Sequence, residues 1–196
     1  MKKLLLSLSF CFLATLIWSQ ATDLAGFNQG RLQRQKTGMI ILGSWAVGNI
    51  ALGGALAGSR QGEDKYFHLM NAGWNVINLG IATAGYLSAL KADPAGFDLY
   101  QSVQEQHQLQ KILLFNAGLD LGYMAGGLYL IERSKNTDKK PEQLKGFGRS
   151  IILQGAFLFV FDVASHVIHA RHNVDLQPWL SSLYFSGDQV GLVVRF

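Results

Sequence analysis

The sequence predicts an all-α membrane protein: a four-helix transmembrane bundle with a cleavable signal and a short β-prone C-terminal tail. Three observations predict it. Charged residues make up only 15% of the 196, against about 25% in a typical soluble domain. Those charges cluster in short segments and leave long stretches with none. The polar residues inside these stretches recur at helical spacing rather than at random.

Residues 1–21, MKKLLLSLSFCFLATLIWSQA, have the form of an export signal. Lys2 and Lys3 make a basic start, Leu4 to Trp18 an apolar stretch, and Ser19 and Ala21 are small residues spaced for signal peptidase. The alternative is an uncleaved first span, for which the apolar stretch is short. Cys11 is the single cysteine, so no internal disulfide forms, and no CxxC motif is present. Ser9 and Phe10 before it do not make a lipoprotein signal.

Residues 22–175 are predicted to form the helical membrane domain. A polar, amphipathic lead over residues 22–37 precedes the first span, at about residues 38–58, which carries no charge and has the roughly 20 residues that a spanning helix needs. Arg60, Glu63, Asp64 and Lys65 form a loop before the second span at about residues 66–90. Asp93-Pro94 is a helix-start signal. An amphipathic segment then leads into the third span, at about residues 112–131, and the fourth covers about residues 151–170. Residues 176–196 form an external tail in which Leu180–Phe185 and Val190–Phe196 are β-prone around Ser-Gly-Asp, the pattern of a hairpin. A β-barrel would need many short alternating segments, which four long uncharged stretches contradict. Ala25–Asn28 (AGFN) echoes Ala95–Asp98 (AGFD), as a duplicated two-helix unit would.

Charge sets the topology. Segment 132–149 carries six Lys or Arg and is predicted to be cytoplasmic. The lead, the loop around Asp93 and the C-terminus then lie on the periplasmic side of a bacterial inner membrane. A signal inserted with its basic end inside gives the same orientation. The net charge of +4 comes from residues at the edges of apolar segments, so it points to the lipid bilayer as partner and not to nucleic acid.

Small residues are expected to pack the helices. Gly118, Gly122 and Gly126 strip one face of span three, and Gly54 and Gly58 do the same in span one. Such faces serve packing within the chain, a homo-oligomer or a membrane partner equally well.

Any chemistry would lie on the polar stripes. His68, Asn71, Asn75 and Asn78 are spaced 3, 4 and 3, which keeps them on one face of span two. Asn116, Asp120 and Tyr123 share a face of span three, and Asn49 lies near the middle of span one. Asp162, His166 and His169 are spaced 4 and 3 on span four. Asp120 costs about 2.5–3.5 kcal/mol at a helix centre, against a gain of about 0.3–0.6 kcal/mol for each strongly apolar neighbour. It must therefore face the bundle, paired or protonated.

Three readings follow. The first is a structural or partner-binding membrane component whose buried network fixes helix register. The second is a metal or haem site on Asp162, His166 and His169, since imidazole suits zinc, copper or haem iron. The third is a proton or small-ligand pathway through Asn49, His68, Asn71, Asn75, Asn78, Asn116, Asp120, Tyr123 and Asp162. His107 and His172 read as solvated loop histidines. No nucleophile elbow, P-loop or HExxH motif is present, so nothing argues for an enzyme.

The signal ending WSQ, the segment Asn71–Asn78 (NAGWNVIN), Phe115–Asp120 (FNAGLD) and the terminus VGLVVRF resemble a family of small, uncharacterised bacterial membrane proteins. The resemblance covers nearly the whole chain. It implies a signal, four spans and a short β-prone tail, and brings no activity or catalytic residues.

Overall fold

A computed structural model describes the backbone of residues 2–177, 183–186 and 189–192, and the side chains of residues 24–177. The expected cleavage residues Ser19 and Ala21, and most of the side chains of the tail, lie outside the described side chains.

Four long helices account for most of the described residues: α1 (Lys2–Ser59), α2 (Gly62–Lys91), α3 (Leu99–Lys135) and α4 (Pro141–His172). The lead and first span are thus one continuous helix with no break at residue 37. The turn into α2 places Gly62 at φ +60, a left-handed conformation that glycine adopts at no steric cost. Glu63 and Asp64 then occupy the positive end of the helix dipole. Asp98 caps α3 in a reciprocal box: its carboxylate accepts from the Gln101 amide, and the Gln101 side chain accepts from the Asp98 amide. Pro141 opens α4, where its missing N–H costs nothing. Two short strands, β1 (Leu183–Ser186) and β2 (Gln189–Leu192), pair antiparallel in the tail.

The helices form two hairpins. α1 runs along α2, α3 runs along α4, and the hairpins join chiefly through α2 and α4. Glycine permits the closest approaches. A Cβ on Gly127 would stand 2.7 Å from the Gly148 carbonyl oxygen, one on Gly53 2.7 Å from the His68 carbonyl, and one on Gly155 3.0 Å from the Asp120 carbonyl.

These are not the expected glycines. A Cβ on Gly54, Gly58, Gly118, Gly122 or Gly126 would meet nothing within 4 Å. Gly53 and Gly127 sit one residue away from the expected stripes, about 100° round the helix. The face that four-residue spacing leaves bare points away from the other helices among the described residues.

Burial is inverted relative to a protein with an oily core. Asn75 and Gln154 are 0% exposed, while Ile77 and Val160 are each 66% exposed. Two helical stretches, Leu24–Ser59 and Pro141–Leu176, are long and apolar enough to cross a membrane, and only 17% of each apolar window is buried. α2 and α3 are less apolar, because Asn71, Asn75 and Asn78 dilute one and Asn116 and Asp120 the other.

At the loop end of α2, Glu63 binds Lys145 and Arg149 of α4, and Arg149 also lies over the Phe67 ring. The hydrogen bond from Lys145, aided by Arg149, holds the Glu63 carboxyl below its ordinary range. A carboxyl lowered on folding stabilises above its unfolded value, about 4.3, and loses that contribution as pH falls through the lowered folded value.

Two predictions follow from this packing. Gly148→Val should destabilise the protein by about 1–3 kcal/mol through overpacking, whereas Gly122→Ala should leave thermal unfolding in detergent unchanged or slightly raised. Between pH 5 and pH 3, wild type should lose more stability than Glu63→Gln; parallel loss in the two proteins would show that the ion pair carries none of it.

Candidate functional site

The polar stripes converge on Gln154. Asn71 Oδ1 accepts from Ser150 Oγ at 2.6 Å and from Gln154 Nε2 at 2.9 Å. Gln154 Oε1 accepts from the Trp45 indole N–H at 2.9 Å, and the Trp45 ring stacks on Phe157. Asn49 donates to the Trp45 carbonyl and accepts a long bond from Gln154. Asn75 donates to the Asn71 carbonyl, and Asn78 donates to Asn75 Oδ1. One glutamine thus ties α1, α2 and α4 together. In an apolar surrounding each broken bond would leave a buried polar atom unpaired, at about 1–3 kcal/mol.

Further along α4, Asp162 meets Asp120 of α3. The two side chains line one cavity, and Asp120 Oδ2 is buried with no donor among the described residues. The cavity, of about 240 Å³, is lined also by Trp74, Asn78, Asn116 and Tyr123. Two carboxyls meeting without a donor are satisfied by one shared proton or by a bound cation. The Tyr123 ring packs edge-on to Trp74 at 5.0 Å and closes one side.

A second polar cluster holds the opposite end. Asn28 donates to Ser102 Oγ at 2.8 Å. Gln106 donates to the His169 carbonyl at 2.6 Å and to Asn173 Oδ1 at 2.9 Å. Arg31 pairs with Glu105 and lies over the Phe97 ring. Burial lowers the Arg31 guanidinium below the usual arginine range, and Glu105 opposes that shift.

Most of the expected stripe is brought together. Asn49, Asn71, Asn75 and Asn78 join the network, and Asn116, Asp120, Tyr123 and Asp162 line the cavity. His68 stays out of the network, half-buried and edge-on to Phe67. The expected metal set does not converge. Asp162 faces Asp120, His166 Nδ1 donates to the Gln110 carbonyl, and His169 lies beneath Gln106. Among the described residues no three His, Cys, Asp or Glu side chains form a metal-binding group. Asp162 and His169 are seven residues apart, roughly 10 Å along a helix, too far to share an ion that needs ligands at about 2 Å.

His172 is a further correction. It is 4% exposed rather than solvated, stacked on Phe27, with its ring nitrogens on the Phe27 carbonyl and Asp175. Trp45, Ser150, Gln154 and Gln106 were missed by the sequence reading. The available signal was that Gln154 interrupts an otherwise apolar run two turns before Asp162.

Residues 41–163 match a family described as a family of unknown function, DUF6992. The match covers more than half of the chain, and the chain belongs to that family. No curated protein and no solved structure is significantly similar to it. The matched segment contains both the Gln154 network and the Asp120–Asp162 pair.

Gln154→Leu should cost about 1–3 kcal/mol, read as a lower midpoint of thermal unfolding, because it leaves Trp45 Nε1 without an acceptor and removes a donor from Asn71. Val160→Leu, on the exposed face of the same helix, should change the midpoint little.

Proposed function

We propose that this member of a family without assigned activity is an integral membrane protein and serves as a structural or partner-binding membrane component. In this reading the chain crosses the inner membrane four times behind a cleaved signal. The lead and the C-terminal tail lie outside, and segment 132–149 lies inside.

The observation that carries the reading is the inverted burial. On α2, Ile77 is 66% exposed and Asn75 is fully buried. In water such a surface forgoes about 25 cal/mol for each Å² of apolar area left exposed. In lipid it costs nothing, and the polar groups must pair within the bundle instead. The network through Asn71, Ser150 and Gln154 does that, and it sets the rotation of α2 against α4. The excess of Lys and Arg on segment 132–149 supports the orientation.

A second reading of the same architecture rests on the Asp120–Asp162 pair. An intramembrane acidic pair beside a cavity is a site for a proton or a small cationic ligand. Asp120→Asn combined with Asp162→Asn separates the two. A structural pair predicts altered stability alone, and a ligand site predicts loss of whatever stabilisation a bound cation confers.

The test of the membrane reading is extraction and labelling of the full chain. The protein should stay in the membrane pellet after an alkaline carbonate wash. With Cys11 replaced by Ser, Lys139→Cys should react with an impermeant maleimide only after the cells are opened. Release into the carbonate supernatant overturns the membrane reading, and labelling of intact cells overturns the orientation.

A further inference from the structure

A larger groove, of about 620 Å³, lies between α1 and the α3–α4 hairpin, where the hairpins have little contact. Its walls are apolar, with Met39, Ile41, Leu109, Leu113 and Ile168 among them, and Arg34 and His169 stand at its polar end. His169 is 4% exposed, and its Nδ1 is buried with no hydrogen-bond partner.

The charge around that end is unbalanced. Arg31, Arg34, His166 and His172 are the titratable groups that surround His169. Glu105 answers Arg31 and Asp175 answers His172. Among the described residues no carboxylate pairs with Arg34. A half-buried guanidinium and an imidazole with an unpaired nitrogen, both lining one apolar slot, are complementary to an anion with an apolar tail.

We propose that this groove binds one long-chain carboxylate, its head group on Arg34 and His169 and its tail along Leu109, Leu113 and Ile168. The guanidinium fork matches a carboxylate with two parallel N–H bonds. Arg34 is one unmatched cation, which suits a monoanion. The volume lies within the range of about 300–1,000 Å³ typical of ligand pockets, and the walls remove the tail from water without adding polar demand. The site is distinct from the Asp120–Asp162 cavity, and its binding does not depend on whether the chain resides in a bilayer.

The test uses the full-length protein in a neutral maltoside detergent, titrated with oleate and separately with oleyl alcohol, with retention read by native mass spectrometry. One oleate should bind per chain, about tenfold tighter than the alcohol, as one charge-assisted contact confers. Arg34→Gln should erase that preference while leaving the helical circular dichroism intact, and Arg34→Lys should restore part of it. Ala164 also lines the groove, and Ala164→Phe, which fills the slot without touching the charge, should weaken acid and alcohol alike. Equal retention of acid and alcohol by wild type, or oleate binding unchanged in both Arg34→Gln and Ala164→Phe, overturns the proposal. Preferential retention of a two-chain phospholipid overturns it as well, by assigning the groove a different occupant. Oleate binding with the expected preference in a protein that carbonate releases from membranes would keep this site and refute the membrane reading alone.

Discussion

The structure depends on one constraint: amides and carboxyls at the centre of the bundle must find partners there. Asn71 receives two hydrogen bonds from α4, and Gln154 receives the Trp45 indole. None of these side chains can rotate without orphaning another. The network therefore selects one rotation of α2 and α1 about α4. Individual contacts of this kind are worth about 0.5–1.5 kcal/mol. The value lies in specificity, because a slipped register loses several at once.

Glycine supplies the second requirement, which is proximity. Gly148 and Gly155 let α4 meet the backbone of α3, and the contact at Gly155 is with the Asp120 carbonyl itself. The close crossing that packs the hairpin therefore also brings Asp162 to Asp120. At the other end, Phe27, Asn28 and Arg31 of α1 meet Ser102, Glu105 and His172. Between these two fastenings α1 stands away from α3, and the Arg34 groove opens there.

Much of this was legible in the sequence. Each uncharged stretch lies inside a helix that runs on beyond it, as α3 does over Leu99–Lys135, and Asn71, Asn75 and Asn78, spaced 4 and 3 along α2, are all buried. Asp120, expected to face inward because of its cost in an apolar surrounding, is buried. Spacing describes one helix at a time, however, and three features depend on how two helices meet. Gly127 rather than Gly126 is the contact because rotation about a neighbour is invisible in a single stripe. Asp162, His166 and His169 share a face but not a depth, so they find three different partners. Gln154 is the hub through residues more than eighty positions away, a pairing that no local pattern encodes.

In the proposed membrane reading the apolar faces meet lipid and the polar faces meet each other. Nitroxide labels placed singly from residue 71 to residue 82 of α2, in a Cys11→Ser background and in bilayers, test it most directly. Molecular oxygen should reach Val76, Ile77 and Ile81 while a water-soluble nickel complex does not, and both should be excluded at Asn75. Access of the nickel complex at Ile77 comparable to that of an exposed residue on a water-soluble helix would contradict it.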